Sequence, residues 1–325
     1  MNSKSKKSFI IVVVLIIVAL AVFLSSRSKA KDKVLIYTSA EDYRVEYLTK
    51  RLQEEFPDYD ITIEYMSTGN HAAKLLAEGT KTEFDITHDL DYGYMSQLDA
   101  LGEFADLSNY DMSIYTEDVA LSKNYIIELR NGGAIIINPD VLKARGLEDL
   151  LKPEYKGLIS MPSPKASGTG YMFLKSLVNA WGEEKAFDYF DQLTPNILQY
   201  TSSGSGPVNA LVQGEVGIGL GMTAQAVTQI NEGKNLKIIF FKEGSPYSLY
   251  GQAIIKGKET KPAVKAVFDF LINTYNYENN EKFFPEKIFK DKDYVVKNYP
   301  QNIVYSDMSN NTIDEKTRLL DKWKY

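Results

Sequence analysis

Residues 34–56 read VLIYTSAEDYRVEYLTKRLQEEF, in which a short apolar run leads directly into an amphipathic stretch. Val34–Thr38 has the length and the β-branched and aromatic content of a strand, and Asp42–Phe56 has apolar residues at helical spacing. The same order recurs in residues 60–76 and 84–101. Parallel strands need long crossover connections, usually helical, so this alternation predicts a parallel sheet covered by helices on both faces.

A further set of strand and helix patterns predicts a second lobe. Gly133–Asn138 (GAIIIN) is a strongly β-branched strand closed by a proline, and strand and helix patterns continue on both sides of it. We therefore predict an α/β fold of two doubly wound α/β lobes joined by two crossing segments, with a ligand cleft between them. Lobe 1 is discontinuous and comprises residues 34–138 plus 246–325, and lobe 2 comprises residues 139–245.

Composition excludes several classes of protein. The chain has 325 residues, of which 44% are hydrophobic and 25% are charged, as in ordinary globular proteins. The absence of cysteine excludes disulfides, thiolate catalysis, cysteine-ligated zinc and lipid attachment through a cysteine. Seven of the 37 basic residues and one of the 43 acidic residues lie in residues 1–33, so the remaining body is strongly acidic. An acidic body argues against binding to nucleic acid, which needs a positive surface.

Residues 1–33 predict a signal peptide or an N-terminal membrane anchor. Residues 9–24 (FIIVVVLIIVALAVFL) are unbroken apolar sequence preceded by three lysines. As a helix this run reaches roughly 24 Å, slightly less than a hydrocarbon core of about 30 Å. Ser28–Ala30 offers the small residues of a cleavage site, and an uncleaved anchor fits the run equally well. Both alternatives place the body on the extracytoplasmic face of the cell membrane, either anchored or released.

Loops rich in serine, threonine and glycine precede predicted helices and suggest an anion site. Ser167–Gly170 (SGTG) lies between a strand and an amphipathic helix, and Thr201–Gly206 (TSSGSG) precedes another helix start. Glycine lets the backbone approach a ligand closely, and hydroxyls and free helix N-terminal amides donate to it. Ser39 and Ser67–Asn70 follow the first two strands in the same way. Each loop is also compatible with an ordinary N-cap.

Known enzyme signatures are missing, so we predict a protein that is not an enzyme and has neither catalytic residues nor a cofactor. The chain lacks a Gly-x-Ser-x-Gly motif and a phosphate-loop lysine motif, and its only histidines are His71 and His88. Asp85, Asp89 and Asp91 surround His88 after the third strand pattern. They suit a metal, but acids at a strand end are more often caps and surface residues, and we predict no metal site.

Read in order, several segments of the body resemble the extracellular solute-binding proteins of ABC importers, in the branch that includes ferric-iron, phosphonate and sugar-phosphate binders. The resemblance covers nearly the whole body and implies the type 2 periplasmic-binding fold. It also implies two lobes that close on a solute and hand it to an ABC permease. The segments that carry it include Val34–Ser39, Leu150–Gly157, Met161–Pro164, Ser167–Tyr171, Gly182–Ala186, Gln213–Gly219, Lys242–Pro246 and Ala253–Gly257.

The resemblance leaves the solute open, and the residues favour an anion. Ferric-binding relatives commonly carry a tandem tyrosine after the Gly-Glu strand, whereas Gly221–Gln225 (GMTAQ) has none. The serine, threonine and glycine helix starts fit a phosphonate or a phosphorylated sugar better. The expected anion contacts are Ser39, Ser167, Gly168, Thr169, Ser203, Gly204 and Ser205, with Thr223 and Glu215 as weaker candidates.

Other hypotheses remain open from the sequence. One is a ferric-iron importer component, and another is a polyamine site that uses Tyr37, Tyr65, Glu41 and Asp89. From a different class, a surface phosphoester hydrolase would need an activated Ser203, and no base is visible beside it. A closed protein that signals to a membrane sensor, rather than to a permease, is a further alternative. We expect a monomer.

Overall fold

The computed structural model describes residues 32–117, 119, 122–141 and 143–325. The apolar run of residues 9–24 and the predicted cleavage site lie outside the described residues. Within the described part of the chain, no helix combines the length and the apolar content that crossing a membrane requires.

Strands and α-helices alternate over residues 33–100 and again over residues 197–239, as the sequence pattern predicts. The strands are β1 (Lys33–Thr38), β2 (Asp60–Tyr65), β3 (Ile86–Asp91), β4 (Ile126–Ile137), β5 (Ile159–Pro162), β6 (Ile197–Thr201), β7 (Ile218–Met222), β8 (Lys237–Ile239) and β9 (Tyr247–Ile254). The α-helices are α1 (Asp42–Glu55), α2 (Thr68–Glu78), α3 (Tyr92–Ala100), α4 (Gly168–Trp181), α5 (Glu183–Leu193), α6 (Gly206–Gln213), α7 (Thr223–Asn231), α8 (Pro262–Phe270), α9 (Asn276–Lys282) and α10 (Ile313–Lys322).

The strands follow the spatial order β2-β1-β3-β9-β4-β7-β5-β6, and β8 pairs with β4 outside this path. The pairs β1–β2, β1–β3, β5–β6 and β5–β7 are parallel. Strands β4 and β9 run antiparallel to their neighbours. The parallel sheet predicted from the alternation is therefore present in two portions, and antiparallel strands lie where the chain passes between them.

Strand β4 connects the two portions of the sheet. Its first part, Ile126–Gly132, pairs with β9, and its second part, Gly133–Ile137, pairs with β7. Strand β9 then returns the chain beside β3. Because β4 changes partners part of the way along, its two halves belong to the two portions of the sheet. Each portion has helices of its own.

Each portion has its own hydrophobic core. The first core contains Val34 and Ile36 from β1 and Leu48 and Leu52 from α1. These residues are buried because alternate positions of β1 and every fourth position of α1 face the same layer. The second core includes Ile135, Ile159, Met161, Phe173, Phe190 and Leu220. The predicted α/β fold with two lobes is confirmed.

The C-terminal helix α10 packs on the second core. Leu319 and Trp323 are buried there, and Trp323 contacts the ring of Phe190 edge to face, with 5.1 Å between ring centroids. The division into residues 34–138 plus 246–325 and 139–245 stays a prediction. Because α10 lies within the range assigned to lobe 1, its packing shows that the end of the chain also supports the other core.

Candidate functional site

A narrow cavity, with space for only about 20 Å³ of solvent, lies where the carboxyl ends of strands from both sheet portions meet. Its wall on the first lobe is formed by Ser39, Glu41, Tyr65, Ser67, Thr68, Asp89 and Tyr250. Its wall on the second lobe is formed by Ser167, Thr169, Ser202, Ser203, Gly204 and Ser205. The side chains are almost all polar, and hydroxyl groups predominate. Ligands of open α/β sheets bind in this position, beyond the carboxyl ends of the strands.

Four helices begin at this cavity. Glu41, Ser67, Ser167 and Ser205 directly precede α1, α2, α4 and α6, and all four line the wall. The Ser167 hydroxyl accepts a hydrogen bond from the backbone N–H of Gly170 at 3.4 Å and so caps α4. First-turn N–H groups have no partner within their helix and carry the positive end of the helix dipole. Convergent helix starts with hydroxyls beside them make a site suited to an anion.

The two walls touch each other around the cavity. The backbone N–H of Gly69 in α2 donates to the carbonyl oxygen of Ala166 at 3.3 Å. The Tyr65 side chain also interacts with that of Ser203, and the Tyr250 side chain interacts with that of Thr169. Because each of these contacts joins one sheet portion to the other, the described conformation is a closed cleft.

Glycines on the second wall allow close approach of the chain. A Cβ atom on Gly204 would lie 2.3 Å from Oγ1 of Thr169, and one on Gly170 would lie 2.5 Å from the carbonyl oxygen of Pro162. On Gly168 it would lie 3.0 Å from the Tyr250 hydroxyl. The loop that precedes α6 therefore lies directly against the start of α4. This close approach requires glycine, because a side chain at these positions would collide with the neighbouring atoms.

A buried charge cluster lies against the first wall; we define it as Glu41, Arg44, His88, Asp89 and Glu128. Nη1 of Arg44 is 3.0 Å from Oε2 of Glu41 and also contacts Oδ2 of Asp89. Nε2 of His88 lies 3.0 Å from Oε2 of Glu128. The backbone N–H of Asp89 donates to Oε1 of Glu128 at 2.7 Å. Only Glu41 and Asp89 of this cluster line the cavity.

Burial and neighbouring charges together set the pKa values in this region. Burial raises the pKa of Asp89 to about 7, with Glu128 and Glu41 adding to the rise and Arg44 and His88 opposing it. Burial also favours the neutral form of Glu128, but His88 and Arg44 outweigh it and lower that pKa. The pKa of His71 is lowered to about 3, first by burial and then by repulsion from His88. His71 is therefore a neutral hydrogen-bonding group at physiological pH.

Asp85, Asp89 and Asp91 are buried, so the expectation that these acids lie on the surface is wrong, although Asp91 is a helix cap as expected. All three are at least 98% buried, and Asp91 also caps α3 by accepting from the N–H of Gly93 at 3.1 Å. Each faces a different cation. The pairs are Asp85 with Lys261 at 2.7 Å, Asp89 with Arg44, and Asp91 with Lys316 at 3.0 Å.

Oxygen and nitrogen atoms of His88, Asp89 and Glu128 approach one another within 4.8 Å, a spacing that a metal ion can bridge. Arg44 already contacts Asp89, and His88 contacts Glu128. This donor set is an internal ion-pair network, and a metal would have to displace Arg44 from Asp89 and His88 from Glu128. We do not identify these residues as metal ligands.

The structure brings most of the sequence-predicted contacts together. Ser39, Ser167, Thr169, Ser203, Gly204 and Ser205 line the cavity, and Gly168 lies beside it under the Tyr250 hydroxyl. Thr223 is fully buried at the start of α7 and is not part of the wall. Glu215 is exposed beyond the C-terminal end of α6, away from the end that faces the cavity.

Several wall and cluster residues escaped the sequence reasoning. Tyr250 and Arg44 were not candidates. Ser202 belongs to the Thr201–Gly206 loop but was not among the expected contacts, and Glu41 was named as a contact only for a polyamine. Arg44 did leave a signal in the sequence. It occupies the same buried stripe of α1 as Leu48 and Leu52, where an arginine is unexpected unless it has buried partners.

Comparison with known proteins places these features in a family. Residues 48–285 match the family model described as bacterial extracellular solute-binding protein. An uncharacterized protein of Haemophilus influenzae is 27% identical over 274 residues, which cover 80% of this chain and 78% of that protein. The spermidine/putrescine-binding periplasmic protein of Salmonella typhimurium is 23% identical over 276 residues, which cover 78% and 77% of the two chains.

Solved structures share the fold. The periplasmic binding protein AfuA from Actinobacillus pleuropneumoniae, solved with exogenous fructose 6-phosphate bound, superimposes with a TM-score of 0.80 at 24% identity. That match covers 90% of this chain and 98% of AfuA. Iron-bound HitA from Pseudomonas aeruginosa gives a TM-score of 0.74 at 16% identity, covering 90% and 99% of the chains. At these identities the likeness shows the fold and does not choose between the solutes.

Proposed function

This chain belongs to the bacterial extracellular solute-binding protein family, and from that premise we propose that it binds a small anionic solute, a phosphonate or a phosphorylated sugar. The solute is held in the cleft between the lobes and is delivered to an ABC permease. The protein acts outside the cytoplasm, as its family does. It binds and releases the solute without changing it chemically.

The observation that carries this proposal is the convergence of four helix starts on one hydroxyl-lined cavity. The starts of α1 and α2 come from one lobe, and those of α4 and α6 come from the other. A bound phosphoryl group therefore interacts with both lobes at once. A ligand that contacts both walls favours the closed arrangement by its difference in affinity between open and closed forms.

Ferric iron and polyamines fit this cavity less well. The end of β7 and the start of α7 carry Met222 and Thr223, both buried, in place of a tandem tyrosine. The phenols on the wall are Tyr65 and Tyr250, and burial raises the pKa of both, which opposes the phenolate form that a hard metal ion needs. Glu41 and Asp89 do present carboxylates to the cavity, which would suit a cationic amine. Arg44 contacts both of them, however, so one of their two negative charges is already compensated.

A ligand screen tests the proposal. Thermal shifts and calorimetry of the purified full-length protein, in buffer free of phosphate, compare fructose 6-phosphate, methylphosphonate, a ferric salt and spermidine. We expect a phosphorylated or phosphonate compound to stabilise the fold, by about 2.7 kcal/mol at one hundred times its Kd. Stabilisation by spermidine or ferric iron alone contradicts the anion proposal. Turnover of a phosphoester that is lost in Ser203→Ala would instead support the hydrolase.

A further inference from the structure

The buried charge cluster has more acids than cations. It contains the carboxyl groups of Glu41, Asp89 and Glu128, while Arg44 is its one permanently charged cation. Even if His88 is protonated and paired with Glu128, one negative charge is left over. Every member of the cluster is at least 92% buried, and an uncompensated charge is costly at such burial.

The excess negative charge lies on the side of the cluster that the solute approaches. Glu41 and Asp89 line the cavity, whereas Glu128 lies behind Asp89 and accepts from its backbone N–H. An anion in the cavity therefore meets two carboxylates that share a single guanidinium. Without a change in protonation, this repulsion opposes the attraction of the helix starts.

Local backbone geometry directs Asp89 to the cavity. The pairing between β3 and β9 shifts register between Thr87 and Leu90, and Asp89 lies within this irregularity with φ of 55°. Irregularities of this kind re-aim a side chain out of the regular ladder. Positive φ is tolerated by aspartate and asparagine better than by most residues. The position is therefore suited to a short carboxyl or amide side chain.

We propose that binding of the anionic solute is coupled to the uptake of one proton by Asp89, whose neutral carboxyl then donates a hydrogen bond to the solute. This inference rests on the proposed function, because it concerns how the same cavity accepts an anion. One proton removes the negative charge that Arg44 leaves uncompensated between Glu41 and Asp89. Removing the carboxylate charge also converts a repulsive acceptor into a donor, as a neutral acid buried in an apolar site can do.

Of the titratable groups in this region, Asp89 is the one suited to take up the proton. Its pKa of about 7, raised mainly by burial, means that a nearby anion need only shift a balance that already lies near physiological pH. Four tyrosines also face it, and burial raises the pKa of each, so they stay neutral. These are Tyr43, Tyr65, Tyr250 and Tyr275. Asp91 is engaged by Lys316 and by Gly93.

Calorimetry with fructose 6-phosphate as the probe tests the inference on the full-length protein. Titrations at pH 8 in two buffers of different ionisation enthalpy give the number of protons taken up on binding. We expect about one proton, and a Kd that weakens by up to about tenfold per pH unit between pH 7.5 and 9. The second phosphate pKa is near 6, so the probe stays dianionic over this range.

Two variants test whether Asp89 is the group that takes up the proton. Asp89→Asn supplies an amide donor that needs no proton, so we expect no proton uptake, a Kd independent of pH, and binding at pH 8.5 that is about tenfold tighter than that of the unmodified protein. Asp42→Asn is the matched control, because Asp42 is an exposed residue next to Glu41 and lies outside the cavity wall. It should retain both the proton uptake and the pH dependence.

Each outcome separates the two proposals. Binding of the probe without proton uptake overturns this inference and leaves the proposed function intact. Failure of every anion to bind overturns both. Proton uptake that persists in Asp89→Asn shows that another group takes the proton. If that variant does not fold, the two-buffer titration of the unmodified protein still decides whether a proton is taken up.

Discussion

The Ser39 hydroxyl oxygen lies 2.8 Å from Nδ1 of His71, and Nε2 of His71 lies 2.9 Å from Oγ1 of Thr87. Ser39 lines the cavity, and His71 is fully buried in α2. A neutral imidazole has one donor and one acceptor nitrogen. If Nδ1–H donates to Ser39 and Nε2 accepts from Thr87, the Ser39 proton is free to point at an anion. His71 is thus a positioning residue for Ser39.

Replacing Ser39 should weaken solute binding. Ser39→Ala removes a hydroxyl donor to a charged ligand, an interaction worth about 1.5–3 kcal/mol, so we expect Kd to rise by tenfold or more. Calorimetry with the best anion of the ligand screen measures the change. Ser108→Ala makes the same change at an exposed turn and should leave Kd unaltered. Equal affinities of the two variants would remove Ser39 from the site.

Because of His71, the free energy of unfolding should fall in mild acid. Its pKa is about 3 in the folded protein and about 6.5 in the unfolded chain, so the unfolded state gains the proton first as pH falls. This contribution to stability is complete above pH 6.5 and is lost progressively toward pH 3. Between pH 7 and 5.5 the free energy of unfolding should fall by about 1 kcal/mol more than in His71→Gln. Urea unfolding at both pH values checks this, and parallel losses in the two proteins contradict it.

Thr169 should contribute to solute binding through its hydroxyl group rather than through the shape of its side chain. It is 3% exposed at the start of α4, where its side chain interacts with that of Tyr250. Thr169→Val keeps the shape and removes the hydroxyl, so we expect Kd to rise by about tenfold, while Thr169→Ser should bind nearly as well as the original. Calorimetry of the pair distinguishes the roles. Equal loss in both variants would indicate that the methyl group and packing matter instead.

Glu215 should be dispensable for binding. It follows α6, whose opposite end begins at the cavity, and eight residues of helix span about 12 Å. Glu215→Gln should therefore leave Kd within twofold and stability within about 0.5 kcal/mol. A tenfold change in Kd would mean that α6 presents its other end to the solute in a conformation different from the one described.

Lys316 should be important for stability. Its ammonium group is 3.0 Å from Oδ1 of Asp91 and 4.0 Å from the ring centroid of Tyr94, and both ionic side chains are almost fully buried. Lys316→Ala leaves Asp91 buried without its cation, so we expect a loss of about 3–5 kcal/mol in urea unfolding. Lys322→Ala is the control on the same helix, because its pair with Glu183 is partly exposed and should matter by at most about 1 kcal/mol. Similar small losses in both would contradict the role of Lys316.

The sequence by itself determined the fold class and the chemical character of the site. Strand and helix periodicities are local, so Val34–Thr38 and Asp42–Phe56 predict β1 and α1 nearly at their observed limits. Serine, threonine and glycine before a helix are also a local signal, which is why Ser167–Gly170 and Thr201–Gly206 were found. The same signal does not say which end of α6 faces a ligand, so it could not exclude Glu215 as a contact.

Only the tertiary structure decided which of these loops meet and how their charges are balanced. Arg44 and Asp89 are 45 positions apart, and Asp91 and Lys316 are 225 apart, so their pairing depends on how β3, α1 and α10 pack. The sequence shows which side chains are present, but it does not show how far apart or how buried they are. Burial is the main cause of the raised pKa of Asp89 and of the lowered pKa of His71. Some of the acidic residues that make the body strongly acidic are therefore not on the surface. They lie in the buried charge cluster behind the cleft.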